Sequence, residues 1–243
     1  CIRDSIQREH KMPQKGVCGV WALDQETSEV LTIQGDAVVL ATGGAGQLWE
    51  KTTNPSVSTG DGIAMAYRTG ASITNMAFVQ FHPTALVVEG GRPFLITEAL
   101  RGEGAVLLDH EGYREWKASG EDDPRSFSFT LQASPLGSMA TRDVVARAID
   151  QRCAESGASH VYLVTEHLDK QHLEERFPMI SNRLQRDGIE LGIDPLPVAP
   201  AAHYIVGGIE VDAVGSAILK KVLNDPTNKP VYNFVKNLKG RNE

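Results

Sequence analysis

Apolar and polar residues alternate in short blocks over the first third of the chain, a pattern typical of β-strands. It predicts a hairpin of strands at 17–23 and 30–33, joined by a polar turn. An unbroken apolar run at 37–41 leads into Thr42-Gly43-Gly44. A run without polar positions is typical of a strand buried on both faces, as in a parallel sheet. The glycines after it allow a tight turn or a close approach of the backbone to a ligand.

Helical and strand-like segments follow each other in the rest of the chain. The spacing of apolar residues predicts helices over 61–70, 94–100, 142–155, 170–177 and 178–186, and strands over 77–81, 106–108, 160–164 and 202–206. The strand at 77–81 is expected to end at His82-Pro83, and the polar stretch from 109 to 136 is expected to be irregular. Thr141 and Gly157 are predicted to cap the helix at 142–155.

Composition and charge restrict the class of protein. The chain has 243 residues, of which 41% are hydrophobic and 23% are charged, as in an ordinary globular protein with a core. A net charge of −7 argues against a nucleic-acid partner. No apolar run approaches the ~20 residues that a membrane helix needs, so no membrane partner is expected.

Cysteine usage gives a further expectation. The three cysteines, Cys1, Cys18 and Cys153, are widely spaced and form no C-x-x-C pair. This spacing argues against a disulfide framework and against a zinc site, so no metal is predicted. Reduced thiols favour a cytoplasmic protein.

Two of the seven histidines lie at the boundaries of predicted strands. His82 precedes a proline, and His203 follows a stretch rich in proline and alanine. Site residues are often presented at such boundaries. The alternative for each is a hydrogen-bonded, partly buried histidine without a chemical role.

Charged residues at 97–104 and at the start of a predicted helix are the other candidates. Glu98 and Arg101 are three residues apart, so an ion pair within a helix is one interpretation. In the other, Thr97 and Glu98 bind a substrate carboxylate while Arg101 keeps Glu98 ionised. Arg142 opens a helix, where a cation opposes the helix dipole at a cost of ~0.5 kcal/mol. It is therefore either a functional residue or a solvated arginine.

Four motifs together resemble the L-aspartate oxidases, a family within the succinate dehydrogenase and fumarate reductase flavoprotein group. In chain order they are QFHPTAL at 80–86, LITEALRGEG at 95–104, RDVVARA at 142–148 and PAAHYIVGG at 200–208. The stretches ATGG at 41–44, TNP at 53–55 and TGDG at 59–62 also resemble the FAD domain of that family. The resemblance covers residues 15–215.

The resemblance implies an FAD enzyme that oxidises L-aspartate to iminoaspartate, a step towards quinolinate and NAD. Fumarate or oxygen would be the electron acceptor, and quinolinate synthase would be a partner. Arg142 would transfer the proton. The implied substrate-binding residues are His82, Thr97, Glu98 and His203, supported by Arg101, and the implied FAD-binding residues are Thr42, Gly43, Gly44 and Asp61.

The implied fold is an α+β capping domain joined to a partial α/β, Rossmann-like FAD-binding domain. Residues 1–75 and a return strand at 205–218 would form the FAD part, and residues 76–204 the cap. The basic tail at 219–243 departs from the family, and two FAD-binding segments of the family are not matched. We therefore expect a fragment with an incomplete FAD site that is inactive alone. The alternatives are a fumarate reductase or succinate dehydrogenase flavoprotein and a non-catalytic, truncated cap module.

Overall fold

The chain divides into two compact units in a computed structural model that describes residues 5–6, 19–35, 37–88, 91, 93–213 and 217. Unit 1 takes its described residues from the ranges Cys1–Leu48, Pro55–Val79 and Ile205–Glu243. Unit 2 comprises Trp49–Asn54 and Gln80–Tyr204. The predicted tail at 219–243 lies outside the described residues, as do Cys1 and the first two residues of the predicted hairpin.

The described elements are short strands and helices. The strands are β1 (Ser5–Ile6), β2 (Gly19–Leu23), β3 (Val30–Gln34), β4 (Ile73–Thr74), β5 (Val79–Leu86), β6 (Phe94–Leu95), β7 (Val106–Leu108), β8 (Val161–Val164), β9 (Leu196–Ile205) and β10 (Gly208–Ile209). The helices are α1 (Asp61–Arg68), α2 (Ala99–Gly102), α3 (His110–Ser119), α4 (Thr130–Ala133), α5 (Arg142–Ser156), α6 (Lys170–Arg176) and α7 (Pro178–Arg186). Helical turns of the 3₁₀ type occur at Gly46–Leu48, Pro124–Phe127 and Gly137–Met139.

Unit 1 contains two small antiparallel sheets. Strands β1, β2 and β3 form one sheet in that order, and Val20 lies opposite Ile33, which confirms the predicted hairpin. The other sheet pairs β4 with β10. The predicted helix at 61–70 is confirmed as α1.

The predicted buried strand at 37–41 is wrong. These residues form no strand, and Val39 is 88% exposed. A strand inside a parallel sheet pairs with neighbouring strands, and no described strand pairs with this run. The strand pairs described in unit 1 are antiparallel, so they do not form the parallel sheet of a Rossmann-like domain.

Unit 2 is organised around a five-stranded sheet with the order β6-β5-β9-β8-β7. Alternation along β7 sends Leu107 to one face of the sheet and Val106 and Leu108 to the other. Helix α3 covers the second face through Trp116. The larger core, on the first face, includes side chains with no exposed surface from strands and helices alike, namely Leu86, Leu100, Leu107, Ile149, Leu163, Leu173, Leu184 and Leu196.

Helix α5 begins and ends where the sequence predicts. It follows Thr141 and stops at Gly157, whose φ of 73° favours glycine because other residues rarely adopt it. The Thr141 hydroxyl donates to Asp143 Oδ1 at 2.7 Å, so the predicted side-chain cap on the helix backbone is not formed. The buried face of α5 carries Val145 and Ile149 into the larger core.

Three predictions about neighbouring elements are wrong. Strand β5 runs past His82 to Leu86, because its last two residues pair with β6. The same pairing makes Phe94–Leu95 a strand, so the helix predicted over 94–100 begins only at Ala99. Part of the segment predicted to be irregular is α3, whose N-terminal Asp109 accepts a hydrogen bond from the Gly112 N–H at 2.7 Å.

The helices of the described residues are either too short or too polar to cross a bilayer.

Candidate active site

Two neighbouring strands of unit 2 bring His82 and His203 together. Strands β5 and β9 are adjacent in the sheet, and the two imidazole rings meet edge to face with centroids 5.5 Å apart. His82 is 1% exposed, whereas His203 is half-buried near the end of β9. The two histidines are thus neighbours in space although 120 residues lie between them in the chain.

The surroundings of His82 determine which nitrogen carries its proton. The Thr84 N–H approaches Nδ1 at 3.3 Å, and the Thr84 hydroxyl donates to the carbonyl of Ile96 at 3.0 Å. A backbone N–H only donates, so Nδ1 of His82 is an acceptor and the neutral ring carries its proton on Nε2. Burial lowers the pKa of His82 to about 4, and the positive charge of Arg142 adds to that effect.

We expect His82 to titrate with a midpoint of about 4. Between pH 6.5 and pH 4, His82 takes up a proton in the unfolded chain, where it titrates near 6.5, but stays neutral in folded unit 2. The free energy of unfolding should therefore fall as the pH is lowered from 6.5 towards 4. Imidazole NMR resonances give the midpoint, and urea unfolding at several pH values gives the stability.

A His82→Gln variant is the control for this titration. It should lose the part of the pH dependence that comes from His82, while the contribution of the other groups is retained. A midpoint for His82 near the value of an exposed histidine would contradict the expected neutral ring.

Arg142 is held by two acceptors at the start of α5. Its Nε donates to Glu98 Oε2 at 2.7 Å, and one terminal nitrogen, NH1, donates to Gln80 Oε1 at 3.0 Å. The other terminal nitrogen, NH2, has no hydrogen-bond partner among the described residues. The Glu98 carboxylate offsets the unfavourable position of a cation at a helix N-terminus. Arg142 is therefore a fixed and only partly solvated side chain.

Glu98 also pairs with Arg101, three residues further along, which confirms the predicted ion pair. Arg101 NH2 lies 3.2 Å from Glu98 Oε1, and Arg101 NH1 donates to the carbonyl of Ser138 at 2.5 Å. Neither NH2 nor Nε of Arg101 has a hydrogen-bond acceptor of suitable geometry among the described residues, although Arg101 is only 1% exposed. The hydrogen bond from Arg142, followed by the charge of Arg101, lowers the pKa of Glu98, whereas burial lowers the pKa of Arg101.

The structure therefore brings together four of the five residues predicted to form the catalytic and substrate site. His82, Glu98, Arg142 and His203 lie within one electrostatically coupled group, with Arg101 behind Glu98. Burial and the charge of Arg142 also lower the pKa of His203. Thr97 has no hydrogen bond to the other four among the described residues. Its hydroxyl accepts a hydrogen bond from the N–H of Ala99 at 3.4 Å.

Three further residues contact this group and were not predicted from the sequence. Gln80 accepts from Arg142, Thr84 donates to His82, and the Thr53 hydroxyl lies 2.9 Å from Nδ1 of His203. Gln80 and Thr84 each lie two positions from His82 on β5, so period-two alternation could have placed all three on one face. The spacing of Thr53 gives no such signal.

An open cleft of about 580 Å³ elsewhere in unit 2 is a weaker candidate. It is lined by His110 and His160 and by charged residues around α3 and α5. Its buried carboxylate, Asp109, is already paired with Arg152, and His110 Nε2 lies 3.2 Å from the His160 carbonyl. These groups already have protein partners, so the cleft is a weaker candidate for binding a substrate.

The residues predicted to bind the cofactor lie together in unit 1. The Gly60 N–H donates to the Gly44 carbonyl at 3.1 Å, which joins the stretch at 42–44 to the start of α1 at Asp61. Gly43 has a φ of 76°, and a Cβ added to Gly44 would meet nothing within 4 Å. The backbone of this loop is therefore open to a ligand.

Comparison with known families identifies the family of the chain and the cofactor of that family. The sequence model of the FAD binding domain family matches residues 2–231. The chain belongs to this family. FAD is the cofactor of the FAD binding domain family, and the open glycine backbone beside Asp61 leaves room for such a group.

Relatives within the FAD binding domain family confirm the resemblance to L-aspartate oxidases. The chain is 44% identical to the L-aspartate oxidase of Yersinia pestis over 201 residues, which cover 83% of this chain and 35% of that protein. It is 46% identical to that of Streptomyces coelicolor over 187 residues, which cover 75% of this chain and 30% of that protein. The chain thus spans about a third of the length of the curated relatives it matches.

Solved structures show the same FAD-binding fold. A quinol-fumarate reductase with menaquinol molecules matches 90% of this chain and 37% of its own, with a TM-score of 0.71 and 31% identity. Mycobacterium smegmatis Sdh1 in complex with UQ1 matches 87% of this chain and 33% of its own, with a TM-score of 0.65 and 32% identity.

Among the described residues, no group of three or more His, Cys, Asp or Glu residues is arranged to hold a metal ion.

Proposed function

We propose that this chain is the catalytic part of an L-aspartate oxidase, in which unit 2 is the substrate-capping domain and unit 1 belongs to the FAD domain. The observation that carries the proposal is the group formed by His82, His203 and an Arg142 that Glu98 and Gln80 hold in place. The identity of 41–46% to L-aspartate oxidases over most of the chain supports the choice of substrate.

Binding of a dicarboxylate follows from the charges and donors of unit 2. Two guanidinium groups and one carboxylate leave one positive charge beside the two imidazole rings. His82 is neutral at physiological pH and offers Nε2–H as a donor. Charge-assisted hydrogen bonds of this kind fix a carboxylate more firmly than neutral ones do. In this proposal, His82, His203, Thr97 and Glu98 orient the substrate.

Proton transfer is assigned to Arg142. FAD, when bound, supplies the acceptor for the hydride that leaves the substrate Cα. A guanidinium accepts a proton from the substrate Cβ only at a nitrogen that has first lost one. In this proposal that nitrogen is NH2, which gives its proton to solvent, while Glu98, 2.7 Å from Nε, holds the group in place. Loss of both hydrogens converts L-aspartate to the enamine tautomer of iminoaspartate. The two acceptors that hold Arg142 fix its reach towards the substrate.

Thr42, Gly43, Gly44 and Asp61 are the residues of this chain that would hold FAD. The open backbone at Gly43 and Gly44 offers N–H groups, and Asp61 lies at the N-terminus of α1. Fumarate or oxygen as the electron acceptor, quinolinate synthase as a partner and a cytoplasmic location are further parts of the proposal, which come from the resemblance and from the cysteine usage.

A fumarate reductase or succinate dehydrogenase flavoprotein is the second candidate. Its support is the fold match to solved structures of that group at 31–32% identity. The higher identity to L-aspartate oxidases, and the His82-Pro83-Thr84-Ala85-Leu86 motif, favour aspartate.

Anaerobic reduction of the flavin distinguishes the two substrates. We would replace the matched region of the Yersinia pestis L-aspartate oxidase with the residues of this chain, and we call this protein the chimeric enzyme. Its flavin absorbance at about 450 nm should bleach with L-aspartate and not with succinate, because the substrate-binding residues come from this chain. Stopped-flow absorbance gives the rate with each substrate.

The parent Yersinia pestis enzyme is the control for folding and flavin content. Bleaching by succinate instead of L-aspartate would favour the dehydrogenase alternative. A chimeric enzyme that retains FAD but reacts with neither substrate would favour a non-catalytic cap module.

A further inference from the structure

The segment Trp49–Asn54 runs beside the last residues of β9 and is tied to them by backbone hydrogen bonds. Thr53 N–H donates to the Ala202 carbonyl at 3.1 Å, and Ala202 N–H donates to the Lys51 carbonyl at 2.9 Å. The side-chain amide of Asn54 also donates, to the carbonyl of His203 at 2.7 Å. These bonds fix the backbone on both sides of the Thr53 side chain.

The fixed backbone holds the Thr53 hydroxyl 2.9 Å from Nδ1 of His203. This is the one polar contact of the His203 ring among the described residues, and Nε2 has no partner there. The proposed function uses His203 as a donor to a substrate carboxylate but assigns no role to Thr53. A carboxylate accepts hydrogen bonds only, so it needs a proton on Nε2 of His203.

His82 shows how such a proton is placed. Its Nδ1 receives the Thr84 backbone N–H, so its ring proton is on Nε2. His203 differs, because a hydroxyl can either donate to Nδ1 or accept from it. If Thr53 accepted, a neutral His203 would present a lone pair to the carboxylate and repel it.

We propose that Thr53 is a positioning residue whose hydroxyl donates to Nδ1 of His203 and so keeps the ring proton on Nε2. Both histidines then direct an N–H towards the same substrate, one fixed by a backbone amide and the other by a side-chain hydroxyl. The need for this arrangement rests on the proposed function, whereas the tautomer of His203 is a property of the chain itself.

Long-range ¹H–¹⁵N NMR spectra of the imidazole rings test the tautomer directly in the ¹⁵N-labelled chain at neutral pH. We expect a single Nε2–H tautomer for His203 in the wild type and in Thr53→Ser, which keeps the hydroxyl. In Thr53→Val, which has the same shape without the donor, the two nitrogen shifts should move towards the averaged values of a free histidine.

Thr52→Val is the matched control. The Thr52 hydroxyl donates to the Ala202 carbonyl at 2.8 Å and accepts from the Asn54 N–H at 3.1 Å, so this variant loses two hydrogen bonds of the same segment and keeps the Thr53 hydroxyl beside the His203 ring. It should leave the His203 tautomer unchanged. An Nδ1–H tautomer in the wild type would overturn the proposal, as would a Thr53→Val spectrum identical to the wild type.

Kinetics of the chimeric enzyme separate this proposal from the proposed function. Thr53→Val should raise the KM for L-aspartate about tenfold with a smaller effect on kcat, since one ground-state hydrogen bond is weakened. Thr53→Ser should restore the KM. If Thr53→Val changes the tautomer but not the KM, Thr53 still positions the ring, and it is the assignment of His203 as a substrate ligand that fails.

Discussion

Replacing Arg142 with lysine in the chimeric enzyme is expected to lower kcat for L-aspartate about 1000-fold, with a change in KM of less than about threefold. Glu98 accepts from Nε of Arg142 and Gln80 accepts from NH1, which leaves NH2 for the substrate. An ammonium group keeps the positive charge but cannot bind both acceptors and reach the substrate from the same position. Steady-state kinetics with L-aspartate measure both parameters.

Arg147→Lys on the same helix is the matched control. Arg147 forms an exposed ion pair with Asp143 and contacts no residue of the site, so kcat should not change. Near-normal turnover of Arg142→Lys would contradict the role of Arg142 in proton transfer. An equal loss in both variants would point to a disturbed α5 instead.

The histidine pair shows what the sequence could and could not predict. His82 and His203 were both candidates because each lies near a Pro-containing segment at a predicted strand end. Their contact depends on β5 and β9 being neighbours in the sheet, which no local pattern specifies. Because strand order comes from packing over the whole of unit 2, the distance of 5.5 Å between the rings could only come from the structure.

Helices α5 and α3 show which secondary-structure elements local sequence signals can predict. The Gly157 stop and the apolar spacing of α5 are local signals, so its bounds were predictable. Helix α3 has local signals too, in the N-terminal Asp109 and in Gly120 with a φ of 73°, but its polar composition hid them. The strand at Phe94–Leu95 was missed because its pairing partner, not its composition, determines its conformation.

Residues that position the site were the hardest to find. Gln80 lies two positions before His82 and was within reach of a period-two argument. Thr53 is 150 residues from His203, and tertiary hydrogen bonds, among them the backbone bridge between Thr52 and Ala202, bring its segment to β9. The chemistry-bearing residues were thus predictable from their types, whereas those that orient them depend on tertiary contacts.

Replacing the buried Arg101 should show whether its charge or its volume stabilises unit 2. Arg101→Ala is expected to lower the free energy of unfolding by about 3 kcal/mol, because it leaves a cavity and removes the donor to the Ser138 carbonyl. Arg101→Met fills most of the space and removes a desolvated charge, while Glu98 keeps Arg142 as its partner. Its cost should therefore stay at about 1 kcal/mol, which is the contribution of the lost hydrogen bond to the Ser138 carbonyl. Urea unfolding of the chain measures both variants, and equal losses would mean that the charge, not the volume, holds this part of the fold.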